Sequence, residues 1–298
     1  MNKIVIITDS SSCLDSKTMA LYGVSEIVPM HYRLEDKLFD ADGDWKVQSP
    51  KEYYDMMRNG ALFKSAQITC EQYKEAFKKY LDQGFDILSI SCTGALSSSV
   101  KESFRAKDEL APLYPNQQIV CVDSANCHYS MSMMIKDVAK MRDEGKTLED
   151  MVAFIEENKL FYNEIGTVDK LTYLRAAGRV SASAAFFGGI FSVKPIVVYD
   201  LEGHNVAIEK VKGRKKSFEV IGNYIEKYGL IKERPEIHIL HADCLDEAKE
   251  LGDIIQSHFD FEIEFLYGYI EPGVGSSVGP GGIIVAFYGK KELRELNK

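Results

Sequence analysis

Hydroxyl and carboxylate residues cluster directly after three short apolar stretches of the chain. The pairs, apolar stretch first, are Lys3–Thr8 with Asp9–Ser12, Asp86–Ile90 with Ser91–Ser99, and Ile119–Val122 with Asp123–Ser124. A strand that runs into hydroxyl groups and then into a helix presents free backbone N–H groups and hydroxyls to an anion. Helix capping explains one such serine, but it explains poorly the five hydroxyls between Ser91 and Ser99. The clusters therefore predict an anion site.

A single cation, Arg179, stands just before a long uncharged segment of the chain. Most residues from Ala182 to Phe191 are apolar or small, and the next charged residue is Lys194. Burying an apolar body is favourable, whereas an anionic end needs a hydrogen-bonded, charged partner. The pattern fits a ligand with an apolar body and an anionic end. The alternative is a core helix flanked by a surface arginine.

The first half of the chain must position the hydroxyl clusters. Three apolar strands that each end in polar residues and lead into a helix predict a parallel sheet with a site along one edge. Ser25–Met30 is a candidate for a further strand, and Asp40–Asp44 is expected to be a solvated loop. The expected helices are Leu14–Leu21, Pro50–Asn59, Glu71–Leu81, Val100–Leu110, Met131–Met141 and Leu148–Glu157.

The second half has a different pattern, with a turn expected at Glu202–Gly203 and a glycine-rich loop at Glu271–Gly282. The expected helices are Ser217–Tyr228 and Leu245–Gln256. The expected strands are Ile165–Val168, Val193–Val198, Val206–Val211, His238–His241, Ile263–Tyr269 and Ile283–Tyr288.

Composition excludes several classes of protein. The net charge of -9 over 298 residues argues against nucleic-acid binding, which needs a basic surface. The six cysteines form no CxxC pair, and no signal peptide precedes Lys3, so we expect reduced thiols and a cytoplasmic location. No run reaches the roughly 18 apolar residues of a membrane span. Asp40–Asp44 lacks the terminal glutamate of a calcium loop, so no metal site is expected.

Taken together, the order and spacing of these motifs resemble the DegV family. The matching segments are KIVIITDSS, Lys64–Thr69, the hydroxyl cluster after Ile90, Val122–Ser124, LTYLRAAGRVSASAA, Lys194–Ile196, KVKGRKKS and GSSVGPGG. Members are fatty acid-binding proteins that in several bacteria form the lipid-carrying subunit of a fatty acid kinase. The resemblance implies an α/β fold with two α/β domains, residues 1–160 around a mostly parallel sheet and residues 161–298 around a mixed sheet. The lipid site is expected between them.

The resemblance also implies which residues hold the carboxylate. Ser65 stands where the family commonly has threonine, and Ala66 replaces a family serine. Ser97 is expected to be the main donor, supported by Ser98, while Arg179 matches the arginine of a glycine-glycine-arginine motif. Ser277 stands where members that work with a kinase commonly have histidine. A hydroxyl donates to a carboxylate but does not become cationic near neutral pH, which weakens the expectation of a kinase-coupled role.

Two further groups of residues follow from the resemblance and from side-chain size. Small residues beside a cavity leave room for an acyl chain, although they also allow close helix packing. The expected acyl-chain pocket consists of Ala184, Ala185, Phe187, Gly188 and Ile190. Lys212, Arg214 and Lys215 are expected to form a partner surface, the alternative being an ordinary solvated face.

The sequence therefore predicts a non-catalytic carrier of a long-chain fatty acid, with a fatty acid kinase subunit as the candidate partner. No cofactor is expected, and membrane contact is at most transient. A serine hydrolase is one alternative, but the chain has no GxSxG motif and no histidine with an evident acidic partner. A phosphometabolite-binding regulator is another, although neither GxGxxG nor GxxxxGK[ST] occurs. Acyl-chain length, unsaturation and oligomeric state are not predicted.

Overall fold

The computed structural model describes residues 3–181 and 193–296, and within them strands and helices alternate along much of the chain. The strands are β1 (Ile4–Asp9), β2 (Glu26–Val28), β3 (Met30–Leu34), β4 (Lys37–Ala41), β5 (Lys64–Ala66), β6 (Asp86–Ser91), β7 (Ile119–Asp123), β8 (Tyr162–Thr167), β9 (Val180–Ser181), β10 (Val193–Tyr199), β11 (Asn205–Lys212), β12 (Glu236–His241), β13 (Glu264–Tyr269) and β14 (Ile283–Tyr288). The α-helices are α1 (Ser16–Tyr22), α2 (Pro50–Arg58), α3 (Cys70–Leu81), α4 (Ser99–Leu110), α5 (His128–Asp143), α6 (Leu148–Asn158), α7 (Leu171–Ala177), α8 (Arg214–Tyr228), α9 (Leu245–Gln256) and α10 (Pro272–Val278).

The first sheet is parallel, in the order β2-β1-β6-β7. Its central strands are apolar because helices cover both faces, as is usual for parallel sheets. All residues of β6 are buried, and those of β1 are buried apart from the partly exposed Ile4. Asp9, Ser91 and Asp123 end their strands at the same edge of the sheet. The predicted parallel sheet with polar residues along one edge is confirmed.

The second sheet is mixed, in the order β13-β12-β14-β8-β10-β11-β9. Its middle strand, β8, pairs antiparallel with both β14 and β10. The predicted turn between β10 and β11 lies where expected, and Gly203 adopts φ 86° there, a conformation that favours glycine. The mixed character of this sheet is confirmed. The division into domains at residues 160 and 161 stays a prediction.

A small antiparallel sheet, in the order β4-β3-β5, lies outside both predicted sheets. The strand expected at Ser25–Met30 is divided into β2, in the parallel sheet, and β3, in this sheet. Pro29 lies between them and interrupts the strand, because proline donates no backbone hydrogen bond. The small sheet also corrects the solvated loop expected from Asp40, since β4 continues to Ala41. Ser65 in β5 is paired opposite the buried Tyr32 of β3, which fixes its position.

The glycine-rich segment from Glu271 to Gly282 was predicted to be a loop, but its first half forms helix α10. Pro272 occupies the start of the helix, and the Glu271 carboxylate accepts hydrogen bonds from the backbone N–H groups of Gly273 (2.6 Å) and Val274 (2.7 Å). Both features favour helix initiation. Tyr53 adds a bond from its hydroxyl to the Pro272 carbonyl at 2.7 Å. Capping and tertiary contacts thus outweigh the low helix propensity of glycine.

Candidate functional site

A cavity of about 560 Å³ lies between the polar edge of the parallel sheet and one face of the mixed sheet. Helices α7 and α10 contribute Leu174, Val274 and Val278 to its wall. Its volume falls within the roughly 300–1,000 Å³ typical of small-molecule sites. The polar edge predicted from the strand ends therefore faces a cavity large enough for a ligand.

The mixed sheet supplies an apolar part of the cavity wall. Gly166 of β8 is paired with Val197 of β10 on one side and with Ile284 of β14 on the other, and all three line the cavity. Residues opposite one another in neighbouring strands point to the same face of a sheet. Because Gly166 has no side chain, the centre of this wall does not protrude into the cavity. The surface suits an unbranched apolar chain.

Four of the five predicted head-group residues are serines, and the structure brings all four to the cavity. We call Ser65, Ser97, Ser98 and Ser277 the serine rim. The Ser97 hydroxyl lies 2.8 Å from that of Ser99 and accepts a bond from the Ser99 backbone N–H at 3.2 Å. The Ser99 hydroxyl in turn accepts a bond from the Ile68 backbone at 3.1 Å. If Ser99 donates to Ser97, the Ser97 hydrogen is free for an anion.

The fifth predicted head-group residue, Arg179, also lines the cavity. It follows Gly178, which ends α7 with φ 65°. Its guanidinium donates to the carbonyls of Ala177 (2.8 Å) and Leu96 (3.4 Å) and is otherwise exposed. The bond to Leu96 connects the end of α7 to the loop that carries Ser97. Arg179 and the serine rim therefore border one cavity.

The remaining predicted residues form two groups. Ala184, Ala185, Phe187, Gly188 and Ile190 fall outside the described residues. Lys212, Arg214 and Lys215 lie at the end of β11 and the start of α8 and do not line the cavity. Arg214 is 16% exposed and donates to Glu247 (2.8 Å) and to the Gly281 carbonyl (2.6 Å), whereas Lys215 is 83% exposed. Arg214 is thus an anchor of the fold and not a free surface cation.

Sequence reasoning missed a buried polar group on another part of the cavity wall. His128 Nδ1 lies 2.7 Å from Glu164 Oε2, and the Tyr199 hydroxyl donates to the same oxygen at 2.8 Å. We call His128, Glu164 and Tyr199 the inner cluster; all three line the cavity, and they are 5%, 5% and 1% exposed. No histidine with an acidic partner was expected. The strand predicted from Ile165 began one residue too late to include Glu164. An acidic residue directly before a predicted strand is the signal that could have revealed this cluster.

The inner cluster is held in place by its neighbours. His128 is the first residue of α5 and has φ 48°, and the Ser130 backbone N–H donates to Glu164 Oε1 at 3.0 Å. The buried guanidinium of Arg294 lies 5.2 Å from the centre of the Tyr199 ring. Burial by itself lowers the pKa of His128, but the neighbouring Cys127 side chain and the Glu164 carboxylate at hydrogen-bond distance together outweigh it and raise that pKa above its ordinary value. The raised pKa favours the imidazolium form of His128 at neutral pH.

Two other buried carboxylates near the cavity have structural partners. Asp9 accepts hydrogen bonds from the backbone of Ser11 (3.1 Å) and Cys92 (2.8 Å), which joins two strand ends of the parallel sheet. Glu271 caps α10 as described. Within residues 3–181 and 193–296, no group of three or more histidine, cysteine or acidic residues is placed to hold a metal ion. The described helices include none long and apolar enough to cross a membrane.

Comparisons with known proteins cover nearly the whole chain. Residues 3–290 match the family model described as "Uncharacterised protein, DegV family". A DegV domain-containing protein of Clostridium perfringens (strain 13 / Type A) is 30% identical, over 97% of this chain and 98% of its own. A solved structure entitled "Fatty Acid Binding of a DegV family Protein from Thermus thermophilus" has a TM-score of 0.83 at 24% identity, covering 97% of this chain and all of that chain (100%). A stearic acid-binding protein from Eubacterium ventriosum has a TM-score of 0.83 at 20% identity, covering 98% and 100%.

Proposed function

The chain belongs to the DegV family, and from this premise we propose that it is a non-catalytic carrier of one long-chain fatty acid. The observation that carries the proposal is a single cavity that joins an apolar wall to a rim of hydroxyls and one guanidinium. The carboxylate binds at Ser65 and Ser97, with Ser98, Ser277 and Arg179 as further donors. Solved relatives whose names state fatty acid binding share this fold.

The energetics of burial support retention of the ligand. A chain of about 16 carbons gains roughly 0.8 kcal/mol for each methylene group removed from water, on the order of 10 kcal/mol before the costs of ordering it. The apolar wall at Gly166, Val197 and Ile284 provides part of that burial. We assign the remainder to the segment with Ala184, Ala185, Phe187, Gly188 and Ile190.

The chemistry of the cavity favours a carrier over a hydrolase. A serine hydrolase needs a serine hydroxyl within hydrogen-bond reach of a histidine. His128 lines the cavity and has an acidic partner, yet its described hydrogen bonds go to Glu164 and Tyr199 and not to a serine hydroxyl. A phosphometabolite site is disfavoured because much of the wall is apolar and Arg179 is the one described lysine or arginine that lines the cavity.

In its finer form, the proposal is that the protein presents the carboxylate to a fatty acid kinase. Support comes from the partly exposed serine rim and the exposed Arg179, which leave the carboxylate end of the site open to a second protein. We place the carrier in the cytoplasm, because the cysteines Cys13, Cys70, Cys92, Cys121, Cys127 and Cys244 are all free thiols, as expected in a reducing compartment.

Native mass spectrometry of the purified protein tests the carrier proposal. We expect a mass increment of one fatty acid that disappears in the denatured spectrum, and saturable binding of palmitic acid after lipid removal. Absence of both would overturn the proposal. Adding a fatty acid kinase and ATP tests whether the protein presents the carboxylate to such a kinase. We expect the bound fatty acid to be converted to its acyl phosphate, with ADP released.

A further inference from the structure

We propose that Ser99, which does not line the cavity, orients the Ser97 hydroxyl as a donor and thereby favours a head group that only accepts hydrogen bonds. The inference rests on the proposed function, since it specifies how the serine rim distinguishes a carboxylate from other lipid head groups. Ser99 is a positioning residue in this account. It acts on the ligand through Ser97 and not by contact.

The Ser99 hydroxyl has two described hydrogen-bond partners. It accepts a bond from the Ile68 backbone N–H at 3.1 Å, and its oxygen lies 2.8 Å from the Ser97 hydroxyl oxygen. Ser99 is 0% exposed, so water does not accept its hydrogen. Among the residues that the structure describes, Ser97 is the one acceptor within hydrogen-bond distance of this hydroxyl. We therefore assign the Ser99 hydrogen to the bond with Ser97.

The opposite direction of this bond is unfavourable. If Ser97 donated to Ser99, the Ser99 oxygen would accept two bonds while its own hydrogen stayed buried without an acceptor. A buried donor without a partner loses its hydration and gains nothing in return. Ser97 escapes this cost, because it is partly exposed and lines the cavity, where water or a ligand accepts its hydrogen. Burial thus favours donation from Ser99 to Ser97.

This direction occupies both acceptor positions of the Ser97 oxygen. One bond comes from the Ser99 hydroxyl and the other from the Ser99 backbone N–H, at 3.2 Å. A hydroxyl oxygen has two lone pairs, so only the Ser97 hydrogen is left for a ligand. The resulting chain of bonds runs from the Ile68 N–H through Ser99 and Ser97 to the ligand, and each bond polarises the next.

A rim connected in this way favours a carboxylate. A carboxylate only accepts hydrogen bonds, and its charge strengthens the bond from Ser97. A fatty alcohol also accepts from Ser97, but that bond is not charge-assisted, and the hydrogen of the alcohol finds no acceptor on Ser97. Ser99 should therefore contribute more to the binding of a fatty acid than to that of a fatty alcohol with the same chain.

A purely structural role of Ser99 is the competing explanation. Ser99 is the first residue of α4, and its bond with Ile68 connects this helix to the segment after β5. Loss of that connection would deform the rim as a whole. Deformation weakens every ligand and does not require the Ser97 hydroxyl, whereas orientation of Ser97 acts mainly on a carboxylate and only through Ser97.

Titration of the lipid-free protein with palmitic acid and 1-hexadecanol separates these explanations. We expect Ser99→Ala to weaken palmitic acid binding about fivefold and 1-hexadecanol binding less than about twofold. Ser103→Ala is the matched control, because Ser103 is equally buried in the same helix and its hydroxyl donates to the Val100 carbonyl at 2.7 Å. It should bind both ligands as the wild type does.

A second comparison tests whether Ser99 acts through Ser97. In a protein that already carries Ser97→Ala, adding Ser99→Ala should change palmitic acid affinity less than about twofold, since the hydroxyl that Ser99 orients is gone. Ser99→Cys fills the same space with a weaker donor and should show a smaller loss than Ser99→Ala. It carries the test if the alanine variant fails to fold.

The outcomes distinguish this inference from the carrier proposal. Equal losses for the two ligands, or an equal loss with and without the Ser97 hydroxyl, overturn the role of Ser99 and leave the carrier proposal standing. Unchanged palmitic acid affinity in a folded Ser99→Ala variant does the same. Failure of the wild-type protein to bind palmitic acid overturns both.

Discussion

The serine rim and the inner cluster are two polar regions of one cavity, built in opposite ways. The rim uses neutral hydroxyls that are mostly part-exposed and stand on β5, on the loop after β6 and on α10. The inner cluster buries an ion pair and a phenol contributed by α5, β8 and β10. A neutral hydroxyl at a partly exposed site can be removed at little cost to the fold, whereas a buried charge cannot. The cavity thus has one polar region, the serine rim, whose hydroxyls can be replaced, and another, the inner cluster, on which the stability of the fold depends.

The largest effect should come from breaking the inner cluster. Glu164→Ala removes the partner of the His128 imidazolium and one of the negative charges near the buried Arg294. We expect the free energy of unfolding to fall by about 3–5 kcal/mol, as for other broken buried ion pairs. Urea denaturation measures it. Ser97→Ala on the rim is the matched comparison and should cost about 1 kcal/mol or less. Equal losses in the two variants would remove the contrast between the regions.

The rim also depends on one buried carboxyl group, that of Glu271, which caps the helix that carries Ser277. Burial raises the pKa of this carboxyl to about 7 from 4.5, although bonds from Gly273 and Val274 oppose the rise. Between those values the folded protein holds a proton that the unfolded chain has released. The stabilisation that comes from this bound proton is therefore complete below about pH 4.5 and is lost as the pH rises through about 7. The corresponding change in the free energy of unfolding is on the order of 3 kcal/mol.

The variant Glu271→Gln should remove this pH dependence, so its stability relative to the wild type should rise from pH 4.5 to pH 7. Free energies of unfolding across that range measure the difference. Glu52→Gln is the control, because Glu52 belongs to the cap of α2 but is exposed. It should leave the dependence in place. Parallel curves for wild type and Glu271→Gln would show that the carboxyl does not titrate in this window.

Removing rim hydroxyls should affect binding more than folding. Ser65→Ala combined with Ser97→Ala deletes two proposed donors to the carboxylate and should weaken fatty acid binding by about 1–3 kcal/mol. The loss is limited because a buried carboxylate can take up a proton instead. Calorimetric titration with palmitic acid measures it. Ser257→Ala, in which an exposed hydroxyl at the end of α9 is lost, should bind normally. Unchanged affinity in the double variant would move the head group away from these two serines.

The smallest effect is expected outside the cavity, at the surface formed by Lys212 and Lys215. Both side chains are exposed, and Lys212→Glu with Lys215→Glu leaves Arg214 in its structural role. We expect bound lipid to be retained and transfer to anionic vesicles to slow severalfold at low salt, with the difference vanishing at high salt. Lys17→Glu with Lys37→Glu makes the same change of charge at two other exposed positions. Equal transfer rates for both double variants would make the surface an ordinary solvated face.

Much of the fold was predictable because its signals are local. Short apolar stretches ending in hydroxyls predicted β1, β6 and β7 and the edge at which they meet. Capping pairs such as Ser49 with Glu52 mark helix starts within four residues of chain. The serine rim was reached in the same way, by motifs that keep their order along the chain, and the structure brings its members to one cavity.

Only the tertiary structure decided the features that depend on distant partners. Helix α10 forms where glycine predicted a loop, because Tyr53 and Tyr54 bind carbonyls 219 and 216 residues away. Arg214 was expected to be part of a partner surface, and the structure shows that it also donates hydrogen bonds to Glu247 and the Gly281 carbonyl. His128 meets Glu164 across 36 residues and Tyr199 across 71. No local pattern encodes such pairs, because the charge of each residue is tolerated in the interior only once the fold has brought its partner within hydrogen-bond distance.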